Sequence, residues 1–213
     1  RAIKDFDIDS LYHLGSLLSA AAERNRSLSH AVNVNGLINV LEVASQNALE
    51  RVIIPSSIGA FGPDTPPNNT PNDTIQRPIS LYGISKVFGE LMGNYYYEKL
   101  GLDVRGVRLP GIISWKVEPT AGTTDYAVAA FYGAIRDQGY TCYLKPGTYL
   151  PMMYMPDAVL ALIQVAEADI SRLRHHADFN VNSMSFAPEE LAEAIRERIP
   201  EFRMDYEIDP LRQ

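Results

Sequence analysis

The sequence has a single cysteine, Cys142, in 213 residues, which excludes a disulfide within the chain. No apolar run reaches about 18 residues, the length that a membrane-spanning helix needs. Lysine and arginine number 19 against 26 aspartate and glutamate, and the resulting net charge of −7 argues against a nucleic-acid-binding surface. The first residues have neither the signal-peptide nor the transit-peptide pattern. We therefore expect a cytoplasmic protein that binds neither membrane nor nucleic acid.

Short apolar strands alternate with helix-length segments in the first half of the chain. The pattern predicts strands at 9–15, 51–57 and 103–109 and helices at 29–47 and 81–100. After Pro110 it predicts a loop at 111–122, helices at 124–137, 156–167 and 188–198, and short strands at 140–144, 177–181 and 204–208. Such alternation is typical of an α/β protein with a doubly wound parallel sheet.

The glycine-rich turn that usually opens such a sheet is missing. A doubly wound, Rossmann-like sheet generally begins with a strand, a G-x-G-x-x-G turn and a helix that together hold dinucleotide phosphates. This chain has no such turn and no room for one before Leu11. We therefore expect a Rossmann-like fold that lacks its first βαβ part.

Tyr82 and Lys86 give the strongest chemical signal. They are four residues apart in a predicted helix, so they share one face. A phenol has a reference pKa of about 10 and is a poor base at neutral pH, but a nearby ammonium group favours its phenolate form. A base assisted by a lysine is one interpretation; a chance pairing is the other, because the pattern alone is weak.

Ser57 lies at the carboxyl end of the second predicted strand, where open parallel sheets bind their ligands. Its hydroxyl can hold a substrate oxygen near the phenol of Tyr82, which follows 25 residues later. The alternative is an ordinary strand-end turn, in which serine and glycine are common. The combination with Tyr82 and Lys86 is much less likely to arise by chance than either feature alone.

These three residues resemble the catalytic triad of the extended short-chain dehydrogenase/reductases. Within that family the chain is most similar to the epimerase-like, NAD-dependent L-threonine 3-dehydrogenases. The stretches that carry this closer resemblance extend over most of the chain, at 17–20, 55–63, 82–86, 110–115, 122–128, 150–154 and 180–186. The resemblance implies oxidation of L-threonine to 2-amino-3-oxobutyrate, with NAD as the hydride acceptor and no metal.

The resemblance also assigns roles to residues. Tyr82 would take the hydroxyl proton, Lys86 would lower the pKa of Tyr82 and hold the nicotinamide ribose, and Ser57 would orient the hydroxyl. The residues expected to contact NAD are Leu14, Gly15, Ser16, Asn33, Ser56, Tyr82, Lys86, Pro110 and Ile112. Those expected to contact the substrate are Ser19, Ser57, Tyr82, Thr123, Thr124 and Asp125. For Thr124 and Asp125, a plain helix cap is an equally weighted alternative.

The same resemblance suggests a division of the chain and a homodimer. Residues 1–110 would form a partial NAD-binding domain with the catalytic helix, and 111–213 would be mostly a substrate-binding region, with 151–182 returning to the main sheet. Related enzymes dimerise through the helices that correspond to 29–47 and 81–100. Two other functions stay open: a nucleotide-sugar epimerase or dehydratase with the same triad, and a truncated relative without catalytic activity.

Overall fold

The computed structural model describes residues 2–119, 122–210 and 212; Arg1 and Gln213, the outer ends of the predicted domains, lie outside them. The helices are α1 (Ala2–Asp5), α2 (Ser19–Arg24), α3 (Arg26–Ser29), α4 (Leu37–Gln46), α5 (Leu81–Leu100), α6 (Tyr126–Asp137), α7 (Met155–Glu167) and α8 (Pro188–Arg196). The strands are β1 (Ser10–Tyr12), β2 (Arg51–Ile53), β3 (Ser56–Ser57), β4 (Asp103–Arg105), β5 (Val107–Leu109), β6 (Gly111–Ile113), β7 (Gly139–Cys142), β8 (Leu150–Tyr154), β9 (Phe179–Asn180), β10 (Met184–Phe186) and β11 (Arg203–Tyr206).

The described residues form two compact units. The first contains the chain up to Leu109 together with Val159–Val181, and the second contains Pro110–Ala158 and the chain from Asn182 onward. All strand pairs in the first unit are parallel, in the orders β1-β2-β4 and β3-β5-β9. Helices and parallel strands alternate along this unit, which confirms the predicted α/β, Rossmann-like class.

Helices cover both faces of the parallel strands because neighbouring strand residues point to opposite sides. Val52 packs in one apolar cluster with Leu41 of α4 and Tyr96 of α5, whereas Ile53 packs in another with Leu162 of α7. One cluster buries one face of the parallel strands, and the other cluster buries the opposite face. This two-sided burial explains why the strands read as continuous apolar runs in the sequence.

Helix α5 has the bounds that the sequence predicts. Ser80 precedes it in an extended conformation, and its hydroxyl accepts a hydrogen bond from the backbone N–H of Gly83 at 3.0 Å. The helix ends at Gly101, whose φ of +70° is a left-handed conformation that glycine adopts without strain. A defined start and stop fix the position of Tyr82 within the first turn.

The second unit has its own core between α6, α8 and two small sheets. Strand β8 pairs parallel with β6 and antiparallel with β10, and β7 pairs parallel with β11. Tyr126 and Ala130 from α6 pack with Leu191 and Ile195 from α8. Cys142 belongs to the same cluster and is fully buried, so its thiol serves as core packing.

Some predicted elements differ from the observed ones, and α1, α2, β8 and β10 have no predicted counterpart. Residues 111–113 form strand β6 instead of part of a loop, because their partner β8 is distant in sequence. The predicted strands 51–57 and 103–109 are each divided into two shorter strands. The predicted helix 29–47 contains one π-helical segment, His30–Gly36.

Among the described residues, no helix is both long enough and apolar enough to cross a membrane.

Candidate active site

Tyr82 and Lys86 lie on one side of α5, as their spacing predicts. The Lys86 Nζ atom is 5.3 Å from the centroid of the Tyr82 ring and donates a hydrogen bond to the carbonyl oxygen of Pro55 at 2.9 Å. Pro55 lies in the short connection between β2 and β3, two residues before Ser57. The lysine therefore links the helix that carries Tyr82 to the strand end that carries Ser57.

Ser57 begins a single 3-10 turn, Ile58–Ala60, at the end of β3. Its Oγ atom accepts a hydrogen bond from the backbone N–H of Gly59 at 3.1 Å. A Cβ atom on Gly59 would lie 3.0 Å from a carbon of the Tyr82 ring, and one on Gly83 would lie 2.1 Å from the Gly59 carbonyl oxygen. Glycine at both positions therefore allows the turn and the helix to approach closely enough to bring Ser57 beside Tyr82.

Burial dominates the electrostatics of the two titratable groups. It raises the pKa of the Tyr82 hydroxyl, and the hydrogen bond with Ser57 acts in the opposite direction. Burial lowers the pKa of Lys86 to about 8, and the negative charge of Glu90 partly opposes this change. Burial is therefore the largest effect on the pKa of Tyr82, and the expectation that Lys86 lowers this pKa stays a prediction.

Asn33 connects the catalytic helix to the turn after β1. It is buried in the π-helical segment, an irregularity that is frequent at functional sites. Its side-chain oxygen accepts from the backbone N–H of Leu17 at 2.7 Å, and its nitrogen donates to the Leu17 carbonyl at 3.0 Å and to Ser85 Oγ at 3.3 Å. Ser85 Oγ in turn donates to the Tyr82 carbonyl at 2.7 Å. Asn33 thus links the turn after β1 to the first turn of α5 through hydrogen bonds.

A cleft lies beside these residues in the first unit, where the chain leaves β1 and β2. Its lining consists of His13, Gly15, Ser16, Asn33, Leu37, Ile54, Pro55, Ser56, Ser85, Lys86, Gly89 and Glu90. This is the edge at which parallel sheets bind ligands. The lining offers an ammonium group and serine hydroxyls, donors that suit the hydroxyls of a ribose. These donors fit the ribose part of NAD.

Some of the residues predicted to contact NAD line this cleft, and others do not. Five of them line this cleft, namely Gly15, Ser16, Asn33, Ser56 and Lys86. Leu14 is 66% exposed and does not line it. Pro110 and Ile112 belong to the second unit, where Ile112 pairs with Met153 in the sheet. Their contact with NAD stays a prediction.

Thr123, Thr124 and Asp125 form a short 3-10 turn in the second unit, directly before α6. The Asp125 carboxylate accepts a hydrogen bond from the backbone N–H of Gly122 at 3.0 Å. This is the helix-capping interaction that the sequence offers as the alternative to substrate binding. Thr124 packs closely against Gly111, where a Cβ atom would lie 2.7 Å from the Thr124 Cβ. The structure therefore gives two of the three residues local structural contacts.

Ser19, the remaining predicted substrate residue, is half-buried at the start of α2. Helix α2 also contacts the catalytic helix, because Glu23 Oε1 accepts a hydrogen bond from the backbone N–H of Leu81 at 2.7 Å. This bond satisfies a free N–H group at the start of α5. Ser19 is thus carried by an element that is fixed to the helix bearing Tyr82.

The sequence predictions missed Ser85 and Glu90, and they gave no role to Arg108. Glu90 is 2% exposed and forms a buried ion pair with Arg108, which is 1% exposed. A signal for Glu90 was available, because it follows Tyr82 and Lys86 at spacings of eight and four residues on the same helix face. An acidic side chain on the buried face of a helix requires a partner.

The chain matches the family described as "NAD dependent epimerase/dehydratase family" over residues 1–181. A relative in Staphylococcus aureus strain USA300, described as an uncharacterized epimerase/dehydratase, is 49% identical over 211 residues. The match covers 99% of this chain and 65% of that relative, so the chain spans about two thirds of the length of the curated protein.

Two solved structures are similar over the whole chain. The L-threonine dehydrogenase of Phytophthora infestans has a TM-score of 0.97 and 46% identity, and the match covers 100% of this chain and 69% of that one. The L-threonine dehydrogenase of Clostridium difficile has a TM-score of 0.96 and 47% identity, with 100% and 66% covered. The fold described above is therefore shared with these enzymes.

Proposed function

Since the chain belongs to the NAD-dependent epimerase/dehydratase family, we propose that it oxidises L-threonine to 2-amino-3-oxobutyrate with NAD as the hydride acceptor. The observation that carries this proposal is the juxtaposition of Ser57, Tyr82 and Lys86 in a chain whose structure is similar throughout to L-threonine dehydrogenases. The chain spans 69% and 66% of the lengths of those two enzymes, so its activity and substrate remain a proposal.

Each residue of the triad has a task that its position supports. Oxidation of a secondary alcohol removes the proton from the hydroxyl oxygen and a hydride from the carbon that bears this oxygen, and the carbon becomes a ketone carbon. Tyr82 accepts the proton, and Ser57 holds the hydroxyl oxygen so that this transfer is short. NAD, when bound, supplies the hydride acceptor. Lys86, whose ammonium group lies 5.3 Å from the Tyr82 ring, favours the phenolate and offers hydrogen bonds to the ribose.

A second candidate is the interconversion or dehydration of a nucleotide sugar. The observation in its favour is the description of the curated relative, which is an epimerase/dehydratase. The same arrangement of base and lysine suits that chemistry, because it too begins with loss of a hydroxyl proton and a hydride. The two candidates differ in the substrate groups that have to be recognised: an ammonium and a carboxylate in one, a pyrophosphate and a base in the other.

An absorbance assay for NADH, combined with chromatography of the sugar nucleotides because their epimerisation or dehydration returns NAD to its oxidised form, separates these candidates. The protein is incubated at saturating NAD with L-threonine, with 3-hydroxybutyrate, which lacks the amine, or with UDP-sugars. We expect NADH only with L-threonine, because a site built to pair an ammonium group rejects an analogue that leaves its partner unpaired. Conversion of a UDP-sugar without threonine oxidation would overturn the proposal, and inactivity on all substrates with NAD bound would favour a relative without catalytic activity.

Asp125 gives a sharper test of the substrate contacts predicted from the sequence. Asp125→Asn keeps an oxygen that accepts from the Gly122 N–H, so the cap and the melting temperature should be preserved. If the carboxylate charge pairs with the threonine ammonium, this variant should still raise the KM for threonine at least tenfold. Asp125→Ala should in addition lose about 1 kcal/mol of stability, which lowers Tm by about 2–4 °C.

Steady-state kinetics and thermal melting of the two variants give the answer, with Thr123→Ala and Thr124→Ala measured in parallel. The KM for NAD is the internal control and should not change. A normal threonine KM in Asp125→Asn would leave capping as the only role of this carboxylate.

We also propose that the protein forms a homodimer through 29–47 and 81–100. The apolar residues Leu37, Leu41, Ala44 and Tyr96 of these segments are buried in the chain's own core. Instead, α5 exposes an apolar stripe of Ile84, Leu91 and Tyr95, which are seven and four residues apart and are 52%, 62% and 52% exposed. A second copy of this chain would cover that stripe.

Leu91→Glu should convert the dimer to a monomer, because it places a charge in the centre of the apolar stripe. Sedimentation velocity at micromolar concentration measures the change. The matched control is Ile135→Glu on α6, where the wild-type side chain is 76% exposed and lies outside the proposed interface. A wild-type protein that sediments as a monomer would contradict the proposal.

A further inference from the structure

Glu90 is a buried acid that the proposed triad does not include. It lies one helical turn after Lys86 on α5, and only 2% of its surface is exposed. A buried carboxylate costs considerable free energy unless it is paired and hydrogen-bonded, so its presence calls for a structural reason. Its hydrogen-bond partners provide that reason, because each partner belongs to a segment that helps to form the site.

The first partner is on the strand that carries Ser57. Ser56 donates its hydroxyl hydrogen to Glu90 Oε1, while Lys86 donates to the carbonyl of the preceding residue, Pro55, at 2.9 Å. Two successive side chains on one helix face therefore hold the two successive residues before Ser57. Because backbone geometry is continuous, this pair of bonds sets the position of the Ser57 hydroxyl relative to α5.

The other partners balance the charge and extend the cluster. Arg108 of β5 binds both carboxylate oxygens, with Nε–Oε1 and Nη2–Oε2 distances of 2.9 Å each. Gln76, in the long polar loop before α5, donates to Oε2 at 2.7 Å. Each carboxylate oxygen of Glu90 thus accepts two hydrogen bonds. We call Ser56, Gln76, Glu90 and Arg108 the Glu90 cluster.

We propose that Glu90 is a positioning residue of this site, which fixes Ser57 through Ser56 and stabilises the ammonium group of Lys86. The part of this inference that concerns rate rests on the function proposed above. The part that concerns Lys86 and Ser56 does not, because it follows from the hydrogen bond between Ser56 and Glu90 and from the position of Glu90 one helical turn after Lys86.

Electrostatic effects on Lys86 agree with this geometry. The groups that face Glu90 and Lys86 are Tyr82 on the same helix, His13 after β1 and Arg108 on β5; Asp178 before β9 pairs with Arg108, at 3.7 Å between its Oδ2 atom and Arg108 Nη2. Burial lowers the pKa of Lys86 to about 8, and Glu90 is the charge that opposes it. Burial and then the charge of Lys86 lower the pKa of His13. Removal of the Glu90 charge should therefore move the titration of Lys86 below pH 8.

Glu90→Gln tests the proposal, since glutamine keeps the shape and loses the charge. Glu98→Gln on the same helix is the matched control, because Glu98 is exposed. The first readout is competitive acetylation of Lys86 against pH, followed by mass spectrometry, which needs no substrate. We expect the acetylation midpoint to move to lower pH in Glu90→Gln and to stay unchanged in Glu98→Gln.

The second readout is the pH profile of kcat for L-threonine. We expect kcat of Glu90→Gln to fall by up to about 100-fold at neutral pH, because small displacements of reacting groups can cause a loss of this size. The threonine KM should be almost unchanged. If Glu90 had only a structural role, Glu90→Gln would instead lower Tm and would not shift the pH profile of kcat. Glu90→Asp should keep the Lys86 midpoint but lower kcat, because the shortened side chain retains the charge and loses contact with Ser56.

The outcomes are distinct. If Glu90→Gln matches Glu98→Gln in either the acetylation midpoint or kcat, the inference is overturned. If Glu90→Gln does not fold, Glu90→Asp decides: wild-type kcat in that variant overturns the inference, and a reduced kcat with a wild-type midpoint supports it. A wild-type protein that fails to oxidise L-threonine defeats the proposed function, whereas the acetylation result still decides whether Glu90 acts on Lys86.

Discussion

Replacing Tyr82 by phenylalanine should lower kcat for L-threonine oxidation by about 100- to 10 000-fold, the range expected when a general base is removed. The substitution deletes only the hydroxyl group. The ring remains in place against Gly59, which approaches it closely enough that a Cβ atom there would lie 3.0 Å away. Folding and the position of α5 should therefore be preserved, and the loss should fall on kcat with little change in KM.

Tyr95→Phe is the matched control, because Tyr95 lies on the same helix with 52% exposure and no part in the site. Steady-state kinetics and circular dichroism are measured for both variants. We expect identical spectra for the wild type and both variants, and a rate loss only in Tyr82→Phe. Activity of Tyr82→Phe within a few fold of the wild type would remove Tyr82 from the mechanism.

Local signals explain what the sequence predicted correctly about α5. Ser80 and Gly101 mark its two ends by capping chemistry that acts within a few residues, so the helix bounds agree with the prediction. The spacing of Tyr82 and Lys86 fixes their common face for the same reason. Each of these features depends on residues that are close in the chain.

Features that depend on distant partners were missed. Strand β6 was assigned to a loop because its pairing with β8 joins residues about 40 positions apart, and no short pattern reports such a pairing. The upward pKa shift of Tyr82 caused by burial could not be predicted from its spacing to Lys86, because burial is a property of the folded structure. Glu90 was overlooked because a lone acid on a helix is usually solvated, and only Arg108 from β5 shows otherwise.

The buried ion pair between Arg108 and Glu90 should dominate the stability of the first unit. Arg108 also donates to the Asn72 carbonyl at 2.9 Å and to Asn180 Oδ1 at 3.1 Å, so one guanidinium group joins the catalytic helix, the polar loop and β9. Arg108→Met should therefore lower the free energy of unfolding by about 3–5 kcal/mol, because it leaves the Glu90 carboxylate buried without its counter-charge.

Urea unfolding of single and double variants tests this explanation. Adding Glu90→Gln to Arg108→Met should recover part of the lost stability, because the uncompensated charge is then gone. Arg108→Lys should lie between the wild type and Arg108→Met, since lysine keeps the charge but cannot bind both carboxylate oxygens as a planar fork. Arg136→Met, which breaks the exposed pair with Glu118, should change stability little. If Arg108→Met is as stable as Arg136→Met, or if the double variant is less stable than Arg108→Met, the buried charge is not what makes the substitution costly.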